Sequence, residues 1–248
     1  MPYAVFSFPT TIYFGAGAIA ELPAELEKRG VRRPLLVTDR GLTRTALFER
    51  VCALAARAPV FSGVDPNPTE QNVFDGVSFY KEQRCDGVIG LGGGSPIDAA
   101  KAIRLKATHA LPLAEYDDLR NGAGRITADV PPFIAVPTTA GTGSEVGRST
   151  VITIAATNRK TVIFSPYLIP SLAIDDPELT LDLPPHVTAG TGMDALTHNV
   201  EAYLSRPFHP ICDAIAIAGA RLASENLPRV MRDPGDLEAR GGMMLSSM

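Results

Sequence analysis

Along much of the chain one pattern recurs: a short, nearly uniform apolar run, then a stretch whose apolar positions fall three and four apart. The runs are Pro34–Thr38, Pro59–Phe61, Gly87–Leu91, Pro132–Val136 and Leu172–Asp175. Such runs predict strands buried on both faces, and the 3.6-residue periodicity predicts helices packed against them. Helical spacing covers Ile19–Lys28 and residues 42–57, and Thr69 can cap a helix reaching about Arg84. Strict alternation in Ala4–Phe8 and Thr11–Phe14 predicts two N-terminal strands, with Pro9 between them favouring a sheet edge. Ser149–Ala155 and Thr161–Phe164 also have strand character, after a polar loop at Asp117–Asp129. Strands alternating with helices imply a parallel, Rossmann-like α/β sheet with helices on its faces.

From Pro184 the strand signals stop. Helical patterns run through Asn199–Leu204, Ile211–Leu222 and Leu237–Met248. The expected organisation is an α/β domain over residues 1–182, followed by an all-α part over residues 183–248. The last pattern, GGMMLSSM, stops without a cap or polar tail, which predicts a helical domain cut short.

Charge and composition narrow the partners. A net charge of −4 argues against nucleic acid or an anionic membrane. No apolar run approaches the length of a membrane span. The N-terminal stretch carries no Lys or Arg and is interrupted by Pro9, so no signal peptide is expected. Cys52, Cys85 and Cys212 are odd in number and widely spaced, which predicts reduced thiols and a cytoplasmic location.

The richest candidate chemistry lies in GVIGLGGGSPIDAAKAIR, Gly87–Arg104. An apolar strand feeds Gly92-Gly93-Gly94, and Ser95-Pro96-Ile97-Asp98 reads as a helix start with Ser95 as N-cap and Asp98 closing a capping box. A glycine turn running into a helix N-terminus presents unpaired N–H groups and the positive end of the helix dipole, a phosphate site. A glycine-rich turn with no ligand also accounts for it. Gly15–Ala20 formally matches GxGxxA, but the proline-broken strand before it favours a tight turn. Asp39, at the carboxyl end of its strand, is placed either to bind ribose hydroxyls or to cap Gly41–Leu42. Pro137–Glu145, PTTAGTGSE, puts four hydroxyls and two glycines directly after a strand, facing the same sheet edge. In GTGMDALTHNVEAY, Asp194 and His198 at i,i+4 share one helix face. They can share a divalent metal, though a working site needs three or more protein ligands, and the same spacing is common for an exposed ion pair. His109, His186 and His209 lack partner spacing, and the last two, next to prolines, read as loop residues.

Taken together, FGAG at Phe14–Gly17, LLVTD at Leu35–Asp39, DPNPT at Asp65–Thr69, GLGGGSPIDAAKAI at Gly90–Ile103, VPTTAGTGSE at Val136–Glu145 and GMDALTHNVEAY at Gly192–Tyr203 resemble the iron-dependent (group III) alcohol dehydrogenases over essentially the whole chain. The resemblance implies a dinucleotide domain and a helical metal-binding domain with the site between them. It implies NAD as cofactor, with Asp39 at the adenosine ribose, disfavouring NADP. Asn67, Gly93, Gly94 and Ser95 would hold the ribose and pyrophosphate. Thr138, Thr139, Thr142 and Ser144 would line the adenine and phosphate region, and Val151 and Lys160 the nicotinamide half. Asp194 and His198 would ligate Fe²⁺, with Zn²⁺ as the alternative, and two further histidines would come from later helices. The implied activity is hydride transfer between a small alcohol, diol or aldehyde and NAD, in a homodimer. A metal- and NAD-using lyase of dehydroquinate-synthase type and a non-catalytic nucleotide-binding fragment stand as alternatives. The lyase would need a Lys/Arg cluster that the Asp194–Glu201 helix does not offer.

Overall fold

The computed structural model describes residues 10–55 and 58–248. The expected strand at Ala4–Phe8 lies outside them. Six strands form one sheet: β1 (Ile12–Phe14), β2 (Pro34–Asp39), β3 (Val60–Val64), β4 (Gly87–Gly92), β5 (Phe133–Pro137) and β8 (Leu172–Asp175). Their order is β1-β8-β5-β4-β2-β3 and every pairing is parallel. Among the described strands β1 stands at one end of the sheet.

The uniform apolar runs conceal a period of two. Leu35, Val37, Val88, Phe133 and Ala135 join a core on one face of the sheet. Leu36, Ile89, Leu91, Ile134 and Val136 join a second core on the other. Helices α3 (Glu70–Glu82) and α4 (Gly94–Thr108) cover the first face through Val73, Ile97 and Ile103; α1 (Leu22–Lys28) and α2 (Ala46–Leu54) cover the second through Leu26 and Val51. Each such side chain stabilises the fold by roughly 1.5–3 kcal/mol when fully buried. A run apolar at every position is what a sheet sandwiched between helix layers requires.

Several boundaries move. A 3-10 turn over Leu42–Arg44 precedes α2, whose cap is Thr45, so residues 42–57 are not one helix. Thr69 caps α3 as expected, in a capping box whose partner is Asn72. Ser149–Ile154 (β6) and Arg159–Phe164 (β7) do not enter the main sheet. They form a separate antiparallel hairpin, with Val151 opposite Val162.

Beyond residue 184 the chain is helical: α5 (Pro185–Tyr203), α6 (Pro210–Arg232) and α7 (Leu237–Ser247). They meet over small and flexible side chains, Ala195, Ala223, Val230, Ala239, Met243 and Met244, with Ala140 inserted from the threonine-rich loop. That insertion joins the helices to the sheet edge where the candidate residues lie. Among the described residues no helix is long and apolar enough to cross a membrane.

Candidate functional site

The carboxyl ends of β2, β4 and β5 open into two adjoining cavities of about 820 and 480 Å³. The larger is lined by Asp39, Gly93, Thr138, Thr139 and the start of α5. The smaller is lined by Asn67, Ser144, Val151, Lys160, Asp194 and His198. Gly94, Ser95 and Thr142 line both. All of the site residues expected from the sequence therefore fall on one continuous cleft.

The glycine turn explains the shared wall. Gly92 has φ +140°, a conformation that side chains rarely adopt. A Cβ on Gly94 would lie 2.7 Å from the Thr142 side chain, so the turn and the threonine loop approach at a distance only glycine permits. The start of α4 differs from expectation. Its N-cap is Gly93, with no side-chain cap. Ser95 is inside the helix and its Oγ donates to the Pro66 carbonyl at 2.6 Å, and Asp98 closes no capping box. The first N–H groups of α4 are consequently left without side-chain acceptors and face the cleft, which is what a pyrophosphate requires.

Asp39 caps the following turn, the second of the two roles that the sequence allowed. Its Oδ1 accepts from the backbone N–H of Gly41 at 2.7 Å and of Leu42 at 3.0 Å, and the residue still lines the larger cavity. Gly15 and Gly17 form a tight turn at positive φ, outside this cleft.

On α5, His198 Nε2 lies 3.7 Å from Asp194 Oδ1, with nearly half of each side chain exposed. A carboxylate and an imidazole on adjacent turns fit a borderline divalent metal as part of its ligand set. They do not complete one: among the described residues no third His, Cys, Asp or Glu gathers with them. His109 instead bonds Thr108 and Thr127, and His209 is the N-cap of α6. His186 lies in the first turn of α5 rather than in a loop, because Pro185 starts the helix instead of ending one.

Sequence reasoning missed a set of buried charges behind the cleft. Lys101 is fully buried, and burial pulls its pKa down to about 8. Asp98, Glu145 and Asp175 are pushed up, first by burial; Asp175 is raised further by Glu145. Among the described residues neither carboxyl oxygen of Asp175 has a hydrogen-bond partner. A charged residue inside an otherwise apolar helix stripe, as at Lys101 between Ala100 and Ala102, was the available signal.

A parallel α/β sheet with a glycine-lined cleft at the carboxyl ends of its strands is the architecture that takes nucleotides at that edge. The chain belongs to the iron-containing alcohol dehydrogenase family: that family model matches residues 9–177, and the model of the family's C-terminal part matches residues 188–248. The chain is 42% identical over 247 residues to 4-hydroxybutyrate dehydrogenase of Cupriavidus necator, covering 99% of this chain and 64% of that protein. It is 39% identical over 258 residues to 1,3-propanediol dehydrogenase of Klebsiella pneumoniae, covering 100% of this chain and 65% of that protein. The crystal structure of sulfoacetaldehyde reductase from Bifidobacterium kashiwanohense in complex with NAD⁺ superposes with a TM-score of 0.91 at 34% identity, covering 100% of this chain and 65% of that one. The chain thus spans a little under two thirds of the length of the relatives it matches.

Proposed function

We propose that this protein is an NAD-dependent, metal-containing dehydrogenase that moves a hydride between a small alcohol or diol and the cofactor. The observation that carries the reading is the convergence of the glycine turn, the threonine loop and the Asp194–His198 pair on one cleft. The names of the relatives, dehydrogenases of 4-hydroxybutyrate and of 1,3-propanediol, support a short-chain alcohol substrate. Residues 1–182 serve as the dinucleotide-binding domain and residues 183–248 as the start of the metal-binding helical domain. The protein works as a homodimer in the cytoplasm.

Each residue group has a task. The open N–H groups at the start of α4 and the hydroxyls of Thr138, Thr139 and Thr142 receive the pyrophosphate in the larger cavity. Asp39 Oδ2 takes ribose hydroxyls, and its charge disfavours a 2′-phosphate. Asn67, with Gly93, Gly94 and Ser95, holds the ribose and pyrophosphate, and Val151 and Lys160 orient the nicotinamide half in the smaller cavity, next to Asp194 and His198. These two would hold the metal, Fe²⁺ or Zn²⁺, as part of its ligand set. When bound, the metal supplies Lewis-acid polarisation of the alcohol oxygen and the nicotinamide supplies the hydride acceptor.

The test is NADH formation from NAD, anaerobic Fe²⁺ and a panel of small alcohols and diols, with and without a chelator. Turnover abolished by the chelator supports the reading. Tight NADH binding without turnover on any alcohol under metal-loaded conditions overturns the dehydrogenase assignment and leaves a nucleotide-binding protein.

A further inference from the structure

The Lys101 side chain is fully buried in α4, two turns behind the glycine turn, where Ala99, Ala100, Ala102 and Ile103 around it are apolar. Its ammonium contacts acceptors and no donor. Nζ lies 2.7 Å from the Ser144 carbonyl, 3.0 Å from that of Gly147 and 2.7 Å from that of Ser149, with Ser144 Oγ at 3.1 Å. Three hydrogens facing four oxygens suit the charged amine; a neutral amine would aim its lone pair at a carbonyl. One turn earlier, Asp98 accepts from Ser144 Oγ at 2.5 Å through Oδ1 and from the Val151 N–H at 2.9 Å through Oδ2, and its Oδ1 lies 4.0 Å from Nζ. Between them the two side chains engage four of the eight residues from 144 to 151. That segment joins the threonine loop to the hairpin and forms one wall of the smaller cavity.

We propose that Lys101, with Asp98, is a positioning residue of the cleft: its buried ammonium clasps the 144–149 turn onto α4 and so holds Ser144 and Val151 at the cofactor. The proposal rests on the reading of the cleft as an NAD site. It assigns Lys101 no contact with cofactor or substrate. A packing role would be met by an apolar side chain of the same length, and an apolar side chain would leave three turn carbonyls without their donor. The charged neighbours facing Nζ are Asp98 and Arg104 from α4 and Glu145 from the loop, so the carboxylates on both sides favour the ammonium.

The test uses Lys101→Met, which keeps the volume, and Lys101→Ala with n-butylammonium or n-butanol supplied in solution. NADH affinity is read by fluorescence and amide hydrogen exchange by mass spectrometry. The expected result is NADH binding weakened at least tenfold in Lys101→Met, with exchange accelerated over 144–151 and unchanged in β2, β4 and β5. In Lys101→Ala, n-butylammonium restores affinity and n-butanol of the same shape does not. Affinity within twofold of the parent in Lys101→Met, or equal rescue by the alcohol, overturns the proposal. Failure of the parent chain to bind NADH would overturn the reading of the cleft instead. The exchange over 144–151 would still decide whether the clasp exists.

Discussion

Two acid–base pairs, the members of each one helical turn apart, lie at or just behind the same cavity, and they behave in opposite ways. Lys101 on α4 is fully buried and Asp98 beside it largely so, and hydrogen bonds to Ser144, Gly147, Ser149 and Val151 hold both. Asp194 and His198 on α5 stand half exposed, 3.7 Å apart, and among the described residues no third metal-ligating side chain gathers with them. In sequence the pairs look alike. The first has its partners in place within the protein; the second leaves coordinating atoms open to solvent, which is why a metal is proposed there. Spacing on a helix brings two groups together, and burial decides whom they serve.

The contrast can be broken most forcefully at Asp98. Asp98→Ala leaves the buried Lys101 ammonium without its nearest carboxylate and Ser144 and Val151 without an acceptor, and the loss of one partner of a buried pair costs up to about 3–5 kcal/mol. A loss of that size lowers the melting temperature by on the order of 10 °C in a chain of this length, measured by calorimetry or circular dichroism. Asp194→Ala and His198→Ala should show the reverse. An exposed i,i+4 pair is worth only about 0.3–0.5 kcal/mol, so the melting temperature stays within about 2 °C. Metal content, read by mass spectrometry on the reconstituted protein, falls to background. Full metal retention in Asp194→Ala would remove the distinction.

The glycine turn offers a second lever. Gly94→Val would push carbon atoms into Thr142, at an overpacking cost of about 1–3 kcal/mol. NADH titration should show affinity lost by roughly the corresponding factor of ten or more. A variant that binds NADH like the parent would show that the wall is free to move.

The last lever is pH. Burial raises the carboxyls of Glu145 and Asp175, so the folded protein holds protons that the unfolded chain releases above the ordinary carboxylate range. Stability must then fall as pH climbs from about 5 toward 7, below the range in which Lys101 begins to titrate. Asp175→Asn should flatten that slope, by up to about 1.4 kcal/mol per pH unit for one proton, in urea melts taken across the interval.

The sheet was legible because the central strands are nearly uniformly apolar, a pattern with few other uses. The glycine turn and threonine loop were legible because glycine and hydroxyl density after a strand exceeds what a turn needs. The start of α4 was misread: Ser95 has the composition of a cap, but the carbonyl of Pro66, distant in sequence, takes its hydroxyl. The hairpin of Ser149–Phe164 escaped assignment because alternation reports a strand without naming the sheet it joins. The Lys101 clasp spans separations of 43 to 48 residues, so nothing local could announce it.

Gly94, Ser95 and Thr142 belong to both chambers of the cleft. A redesign that reaches the shared partition alters both chambers at once, and any change made for one is tied to a change in the other. Asp39 faces only the large chamber and Lys160 only the small one. Under the proposed reading Asp39 meets the adenosine ribose and Lys160 the nicotinamide half, so the two ends of the cofactor can be altered one at a time.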